Sequence, residues 1–449
     1  MTDLPAPDVV PDLPTPTPAA TAPATAAGAT APGALAEPTA RVGTRFLAAL
    51  TGLSLVIWMA FNATGQVLMG EQALAIAPAD KENALATALT IGAAVAIFAN
   101  PVAGWLSDRT THRYGRRRPW IAVGALGGAA AFAVLAGART VLMLTLGWCL
   151  IQLFVNVVYA AVSAAIPDQV PRAQRGLASG LAGITQPVGT VAGVGLAVAL
   201  GIVGGYAGLA VALLLAAAWW ILAVGDQPLT ERPARERRSG AGRIRALVRL
   251  VWVSPRRHPD FAWAWITRML VYLGFGMGTT YLLYYLHDKV GYERLFPGHH
   301  ADEGVLILTG LAVVPLMVTV IAGGVLSDRV RRRKVFVIGS TMVVAVGLGV
   351  LAAFPTWPGS IAAALILGAG FGVYLSVDVA LITEVLPAAS DRAKDLGIIN
   401  IASTVPQVIA PAVAAWLVRH GGGYPVMFSV AAAVTLLGAV LIQPIRGVR

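Results

Sequence analysis

The sequence repeats a short phrase at a distance close to half its length. Gly-Trp-Leu-Ser-Asp-Arg begins at Gly104 and Gly-Val-Leu-Ser-Asp-Arg begins at Gly324, each after a long apolar segment. A second pair keeps nearly the same separation, since Asp-Gln-Val-Pro begins at Asp168 and Glu-Val-Leu-Pro begins at Glu384. Repetition of this kind in hydrophobic surroundings is typical of membrane proteins built from two related helical bundles.

The composition indicates the environment in which these repeats fold. Hydrophobic residues make up 57% of the 449-residue chain and charged residues only 12%, about half the charged fraction of a soluble domain. The apolar blocks approach the roughly 20 residues of a membrane-spanning helix, and backbone groups in lipid must bond within their own segment. We therefore predict an all-α membrane protein with twelve transmembrane helices in two pseudo-symmetric six-helix bundles. The spans are expected at about 46–69, 84–106, 120–137, 141–166, 176–200, 205–225, 261–286, 304–326, 335–354, 359–383, 396–418 and 424–443.

The basic residues predict how the helices are oriented. If the N-terminus lies in the cytoplasm and the spans alternate, most of the 33 Lys and Arg residues fall in cytoplasmic loops, as the positive-inside rule requires. The net charge of +11 could otherwise indicate nucleic-acid binding. We exclude that class because the charge is confined to short loops between apolar blocks. The expected location is the cell membrane, crossed many times, with both termini in the cytoplasm and the lipid bilayer as a partner.

The chain divides into four predicted parts. The first is rich in Pro, Ala and Thr and lacks the basic start and apolar core of a secretory signal, so we expect a disordered cytoplasmic tail. The segment between the bundles is rich in Arg, Pro and Gly. There we expect a tether with a short amphipathic helix on the membrane surface, and a plain tether is the alternative. The parts are the tail at 1–40, the N-terminal bundle at 41–225, the cytoplasmic linker at 226–260 and the C-terminal bundle at 261–449.

The loop between the second and third spans, Gly104–Trp120, is the most distinctive local sequence. Its Arg residues stay out of the hydrocarbon, where each would cost about 2.5–3.5 kcal/mol, and Gly115 can take backbone angles that other residues avoid. Asp108 ends a helix, where the helix dipole disfavours negative charge. We predict that Asp108 contacts the start of span 11 and Asp328 the start of span 5, which would hold the cytoplasmic side shut; a simple loop brace is the alternative. The candidate gating residues are Gly104, Asp108, Arg109, Gly115, Arg116, Arg117, Arg118, Gly324, Asp328 and Arg329.

Acidic residues also follow spans 4 and 10. Asp168 and Glu384 come shortly before the N-termini of spans 5 and 11. At these positions they can cap the helix or pair with the loop arginines. Ordinary capping and a gate network are equally consistent with this pattern.

These loop residues carry a resemblance to a known family. The repeated Gly-x-Leu-Ser-Asp-Arg, together with Gly115–Arg118, resembles the signature loop of the major facilitator superfamily. The resemblance extends from about residue 45 over nearly the whole chain. It implies a secondary active transporter whose two bundles rock around a central site and open that site to each side in turn.

A narrower likeness concerns the substrate. Asn100–Gly104 and Arg113–Ile121 are similar to the corresponding segments of the glycoside and sucrose cation symporters, which implies inward movement of a sugar or glycoside with a proton or sodium. Asn100 stands where the sodium-using bacterial carriers have an acid, so a proton is the expected coupling ion. The alternative is a proton-driven efflux antiporter for drugs or metabolites. Gly183–Gly189 distantly resembles the Gly-Pro pattern of antiporters, although Gln186 replaces one Gly.

Polar side chains recur at helical spacing within several spans. Amides and hydroxyls both donate and accept hydrogen bonds, as a polyhydroxy substrate requires, and aromatic faces can stack on a sugar ring. The alternative role is bonding between helices, worth about 0.6 kcal/mol per contact in a membrane bundle. The substrate-binding candidates are Trp58, Asn62, Gln66, Gln152, Asn156, Tyr159, Arg268, Tyr272, Asn400 and Gln407.

Two charged residues lie inside predicted spans. Arg268 could extend its side chain to the membrane surface, or it could face the cavity and hold an anionic group. Asp378 is a functional candidate because acids within the membrane are costly. It could carry the coupling proton or neutralise a loop arginine, and the sequence favours neither.

Other classes of function lack their motifs. The chain contains no Gly-x-Ser-x-Gly, no His-Glu-x-x-His and no Gly-rich phosphate loop with Lys, so an enzyme is not expected. Cys149 is the single cysteine, and the six His residues lie in loops or at span ends. We therefore expect no metal site and no cofactor, and a protein that functions as a monomer with a small-molecule substrate and a coupling proton.

Overall fold

The computed structural model describes residues 38–226, 228, 259–330, 332–385 and 392–445. Every regular element in these ranges is a helix, as the all-α prediction requires. The N-terminal tail at 1–37 and most of the linker lie outside the described residues. The predictions of a disordered tail and a surface helix therefore stay predictions.

The N-terminal half contains six membrane-length helices, two of which are separated only by a break at a glycine. The helix Arg172–Ala223 has 52 residues, which would be about 78 Å if straight, more than twice the roughly 30 Å hydrocarbon thickness. It breaks at Gly201, where φ is 66° and ψ is −171°, a backbone conformation open to glycine. The helices are α1 (Thr44–Ile76), α2 (Lys81–Asp108), α3 (Arg118–Ala136), α4 (Val141–Gln169), α5 (172–200) and α6 (202–223).

The C-terminal half repeats this arrangement. Its first helix bends by 44° and continues after Tyr281, and the short helix Tyr292–Leu295 follows it. The helices are α7 (Pro259–Thr280, extended by Leu282–Val290), α8 (Ala301–Val330), α9 (Arg333–Ala353), α10 (Trp357–Val385), α11 (Arg392–His420) and α12 (Tyr424–Leu441). The described part of the chain thus holds twelve spans, each within several residues of its predicted position.

Helix packing is the same in the two halves. In the N-terminal half, α1 packs along α5 and α6, α2 packs on α4, and α3 packs on α4 and α6. The C-terminal half has the equivalent pairs: α7 with α11 and α12, α8 with α10, and α9 with α10 and α12. The halves meet where α2 packs on α11 and where α5 packs on α8. Since α8 is the equivalent of α2 and α11 is the equivalent of α5, these two contacts are equivalent to each other. Two pseudo-symmetric six-helix bundles are therefore present.

Glycine allows the helices within each half to approach closely. A Cβ atom on Gly193 of α5 would lie 2.9 Å from Cα of Met59 in α1. In the other half, a Cβ atom on Gly368 of α10 would lie 2.0 Å from the backbone oxygen of Ala312 in α8. Helices in lipid associate mainly through such close backbone packing, since lipid is as apolar as their side chains.

The two halves are joined at one end of the molecule. We call the end that carries the Gly104–Trp120 loop the basic end and the other the opposite end. At the opposite end, the ammonium of Lys81 lies 2.6 Å from Oδ1 of Asp288. The hydroxyl of Tyr424 donates to Oδ2 of Asp288 at 2.7 Å and lies 3.1 Å from Oε1 of Glu82. Arg419 pairs with Asp80. We call Asp80, Lys81, Glu82, Asp288, Arg419 and Tyr424 the closure cluster.

Buried tyrosines extend this connection toward the membrane centre. The hydroxyl of Tyr281 lies 3.1 Å from the backbone oxygen of Glu82, and that of Tyr284 donates to the backbone oxygen of Gly70 at 3.0 Å. Deeper in the bundle, Thr90 donates to the backbone oxygen of Val408 at 3.0 Å. Between pairs of described residues, every hydrogen bond and ion pair that joins the halves lies at the opposite end or near the middle. The described contacts therefore hold the halves together at the opposite end and near the middle.

The close contact at Gly368 predicts a large effect from one methyl group. Gly368→Ala should lower the melting temperature of the purified protein, because the methyl group would overlap the backbone of α8 and force the helices apart. Gly349→Ala on α9 is the matched control, because a Cβ atom there meets nothing within 4 Å. It should be neutral or slightly stabilising, since Ala favours helix more than Gly does. Equal melting temperatures for the two variants would contradict the packing argument.

The closure cluster predicts a shift of conformation. Asp288→Asn should open the opposite end, because charge-assisted hydrogen bonds of this kind contribute roughly 1.5–3 kcal/mol, a tenfold or larger change in an equilibrium. Spin-label distances between positions 79 and 420 should lengthen in detergent. Glu303→Gln is the control, because Glu303 pairs with His299 of its own half. An unchanged distance distribution in the Asp288 variant would remove the cluster as a determinant of closure.

Candidate functional site

The signature loop is organised around one buried guanidinium. The side chain of Arg117 is 4% exposed. Its Nε donates to Oδ2 of Asp168 at 2.9 Å, one terminal nitrogen donates to Oγ of Ser107 at 2.7 Å, and the other donates to Oδ1 of Asp108 at 2.6 Å. Arg116 also reaches Oδ2 of Asp168, at 2.6 Å. The start of α3 is thus fixed to the ends of α2 and α4, and Asp168 pairs with loop arginines as one reading of the sequence predicted.

A second carboxylate holds the first turn of α3. Oδ2 of Asp226, just after α6, accepts hydrogen bonds from the backbone N–H groups of Arg117 and Arg118 at 2.5 and 2.9 Å. A negative charge is favourable at a helix N-terminus, where these donors have no partner within the helix. Gly115 has φ of +107°, and a Cβ atom there would lie 2.3 Å from the Asp226 carboxyl group. Glycine is therefore required both for the backbone angle and for the space.

The predicted cross-half contacts of Asp108 and Asp328 are not made in this conformation. Asp108 is 57% exposed and pairs with Arg117 of its own half. Asp328 is 70% exposed and pairs with Arg333, also of its own half, at 3.3 Å. The side chains at 392–400, where Asp108 was expected to make its contact, lie outside the described residues. The gate stays a prediction about the closed conformation.

The remaining loop candidates lie near the surface of the basic end. The guanidinium of Arg109 lies over the ring of Trp105 at 4.3 Å, and Arg329 is exposed. A Cβ atom on Gly104 would meet nothing within 4 Å, and one on Gly324 only a side-chain atom of Ser376 at 3.8 Å. Neither glycine is required by packing in this conformation.

The amide candidates of the N-terminal half form two short ladders. On α1, Nδ2 of Asn62 donates to the backbone oxygen of Trp58 at 3.0 Å, and Nε2 of Gln66 donates to Oδ1 of Asn62 at 3.1 Å. On α4, Nδ2 of Asn156 donates to the backbone oxygen of Gln152 at 2.7 Å. Each of these hydrogen bonds lies within one helix, so the amides do not bond across helices here. They are held in place and offer further donors and acceptors.

Aromatic rings join the two ladders. Trp58 of α1 and Tyr159 of α4 meet edge to face with their ring centroids 5.8 Å apart. Both side chains are half-buried, as are Asn62, Gln66 and Gln152, whereas Asn156 is buried. Trp58 and Tyr159 therefore bring the predicted faces of spans 1 and 4 into contact.

A buried ion pair is the centre of the C-terminal half. Arg268 of α7 pairs with Oδ2 of Asp378 in α10, and the two side chains are 10% and 6% exposed. Nε of Arg268 donates to Oγ of Ser403 in α11 at 2.8 Å. The hydroxyl of Tyr374 donates to Oδ1 of Asp378 at 3.1 Å, and the guanidinium lies 5.1 Å from the ring centroid of Tyr272. Three helices thus meet at one pair of opposite charges.

This geometry excludes one alternative for each of the two charged residues. Arg268 does not extend to the surface, because its whole side chain is buried beside α10 and α11. Asp378 neutralises an arginine within the membrane instead of a loop arginine. Tyr272, a substrate candidate, packs edge to face against Phe371 and Tyr374 at 5.8 and 6.1 Å.

The candidates on α11 are less well defined. The side chain of Asn400 lies outside the described residues. Gln407 is exposed, and its Nε2 donates to the backbone oxygen of Ser403 at 3.5 Å.

The sequence did not predict a role for the closure cluster or for Tyr374. Tyr374 lies one helical turn before Asp378, and this spacing places the two side chains on the same face of α10. That spacing was a signal from which Tyr374 could have been found.

Comparison with known proteins identifies the fold. A mutant of the nucleoside transporter NupG superposes with a TM-score of 0.71 at 12% identity, covering 89% of this chain and 99% of that chain. A mutant of the peptide transporter POT gives 0.72 at 13% identity, covering 91% and 96%. A D-xylose-proton symporter gives 0.66 at 15% identity, covering 89% and 97%. At such low identity these structures support the fold alone.

Sequence comparison gives the family. No curated protein matches the chain. The family model of the Major Facilitator Superfamily matches residues 47–315 and 300–446, which together span most of the chain and both bundles. The protein is therefore a transporter and not an enzyme, and it belongs to the major facilitator superfamily.

Proposed function

We propose that this transporter takes up a sugar or glycoside together with a proton by alternating access. The observation that carries the proposal is the presence of two different groups of residues: neutral amides and aromatic rings on α1 and α4, and a buried ion pair between α7 and α10. The first group suits hydroxyl groups and a sugar ring. The second contains an acid that can take up a proton inside the membrane.

Asp378 is the proposed coupling residue. Protonation would remove its charge and end its ionic interaction with Arg268. Removing one partner of a buried ion pair typically costs about 3–5 kcal/mol, so the proton and the substrate must act together to keep the site stable. Symport requires such a linkage between proton binding and substrate binding. The site is then most stable either when it is empty or when it holds both the proton and the substrate.

The orientation of the protein in the membrane and the direction of transport are inferred from the charges of its loops. We propose that the basic end faces the cytoplasm, since its loops carry most of the Lys and Arg residues. In this orientation the closure cluster would hold the outer side shut, as the release of an imported substrate into the cytoplasm requires. We also propose that the protein works as a monomer in the cell membrane.

The similarity in fold to a D-xylose-proton symporter supports the proposed substrate class, and the sequence likeness to glycoside and sucrose cation symporters supports it independently. An efflux antiporter is the alternative. Its apolar substrates would gain little from the amide ladders, and this observation favours uptake of a polar compound.

Proton coupling is tested in liposomes that contain the purified protein. An imposed inward proton gradient should drive accumulation of radiolabelled sugars or glycosides, screened as a panel. Asp378→Asn should abolish accumulation while exchange of internal for external substrate continues, because exchange needs no net proton movement. The Arg268→Gln/Asp378→Asn double variant controls for folding, since it leaves no buried unpaired charge. Full accumulation in the single variant would remove Asp378 as the coupling site, and efflux of dyes without sugar uptake would favour the antiporter.

The gate at the basic end is tested by Asp108→Asn. We expect weaker closure at this end and slower transport by a protein that still inserts normally. A cysteine at position 407 in a Cys149→Ser background should react faster with a membrane-impermeant thiol reagent added from the basic side. If Asp108 only braces the loop through Arg117, the melting temperature should fall instead and the labelling rate should stay normal. That result would contradict the gate.

A further inference from the structure

The ion pair is electrically isolated within the membrane. Arg268 and Asp378 are the only charged residues in the twelve spans predicted from the sequence. The groups that face them in the described structure are neutral: the hydroxyl of Ser403, the hydroxyl of Tyr374 and the ring of Tyr272. The six candidates on α1 and α4 are neutral as well. Among the described side chains, these two alone therefore determine the net charge of the site.

Charge counting then distinguishes the states of the transport cycle. The empty site holds one positive and one negative charge and is neutral. When Asp378 binds a proton, the guanidinium of Arg268 keeps a full positive charge in a buried setting. A neutral sugar would leave that charge uncompensated throughout the movement of the bundles. A substrate with one negative charge would cancel it.

We propose that the substrate carries a carboxylate group, which takes the place of Asp378 on Arg268 when Asp378 is protonated. This proposal rests on proton-coupled uptake of a sugar-like compound and narrows the substrate class to sugar acids or acidic glycosides. The planar guanidinium suits a carboxylate because two parallel N–H donors can bind its two oxygens. The hydroxyl groups of the substrate would then face the amides of Asn62, Gln66 and Gln152.

The proposal has an electrical consequence. One proton and one monovalent anion move together, so no net charge crosses the membrane in the loaded step, and the unloaded step carries a neutral site. Uptake should depend on the pH gradient and be indifferent to the membrane potential. Symport of a neutral sugar with a proton would instead move one positive charge per cycle and would be driven by the potential.

The experiment uses the full-length protein in liposomes with matched probes. Uptake of labelled D-glucuronate and D-galacturonate is compared with uptake of D-glucose and D-galactose, under an imposed pH gradient or an imposed potassium diffusion potential. We expect the acids to enter at least tenfold faster than the neutral sugars under the pH gradient. The potential should change that rate less than twofold.

Variants separate the charge of the site from its structure. Arg268→Lys keeps the charge and loses the two-donor geometry, so KM for the acid should rise about tenfold while uptake stays insensitive to the potential. The Arg268→Gln/Asp378→Asn double variant removes both charges and should lose the preference for the acid. Retention of that preference would overturn the proposal.

The outcomes also separate this proposal from the proposed function. Entry of neutral sugars with an inward current, and no entry of the acids, would overturn the carboxylate and leave proton-coupled sugar uptake standing. Entry of neither class under a proton gradient would overturn both.

Discussion

Charges inside the membrane must find their partners within the protein, and the buried Arg268–Asp378 pair is the strictest case. Lipid offers no hydrogen bonds, so a lone charge there would be far costlier than either residue paired. Smaller examples follow the same rule. Gln72 is buried, its Nε2 donates to the backbone oxygens of Leu135 and Ala138 at 2.7 and 3.1 Å, and its Oε1 accepts from Tyr206 at 3.0 Å. In this way a side chain of α1 completes the C-terminal end of α3, whose last carbonyls lack partners within the helix.

The two halves share their packing but not their charges. In the N-terminal half, Arg117 connects the ends of α2 and α4 through Asp108 and Asp168, and Arg116 also pairs with Asp168. The equivalent loop of the other half is shorter and lacks the inner glycine, and its described pair, Arg333 with Asp328, is longer and more exposed. Exposed pairs of this kind contribute little to stability. The charged pair of the membrane interior lies in the C-terminal half, and the amide ladders lie in the N-terminal half. Duplication therefore explains the scaffold, and the differences between the copies explain the chemistry.

Much of the fold could be predicted from the sequence. The length of each apolar segment matches the thickness of the bilayer, and the charge of each loop indicates the side of the membrane on which it lies. The break at Gly201 falls inside the predicted gap between spans 5 and 6, and Gly115 takes the left-handed backbone expected of it. The pairing of Arg268 with Asp378 could not be predicted. Helical spacing indicates which residues share a face of one helix, but not which faces of different helices meet. The closure cluster was missed for a related reason. Its members lie at or next to the ends of helices, on four separate segments of the chain, and apolar periodicity carries no information about which helix ends meet.

The positions of these charges suggest how transport could avoid a continuous pore. The closure cluster holds one end shut through ion pairs that are partly exposed, so they can break and form at a lower cost than a fully buried pair. The buried pair between the two ends cannot be separated without a substitute for the lost charge. A cycle that exchanges Asp378 for a substrate anion on Arg268 keeps the interior neutral while the ends alternate. The barrier to rocking is then determined mainly by the surface contacts at the two ends, and a half-loaded site, with a proton and no anion, is the state that the buried arginine disfavours most.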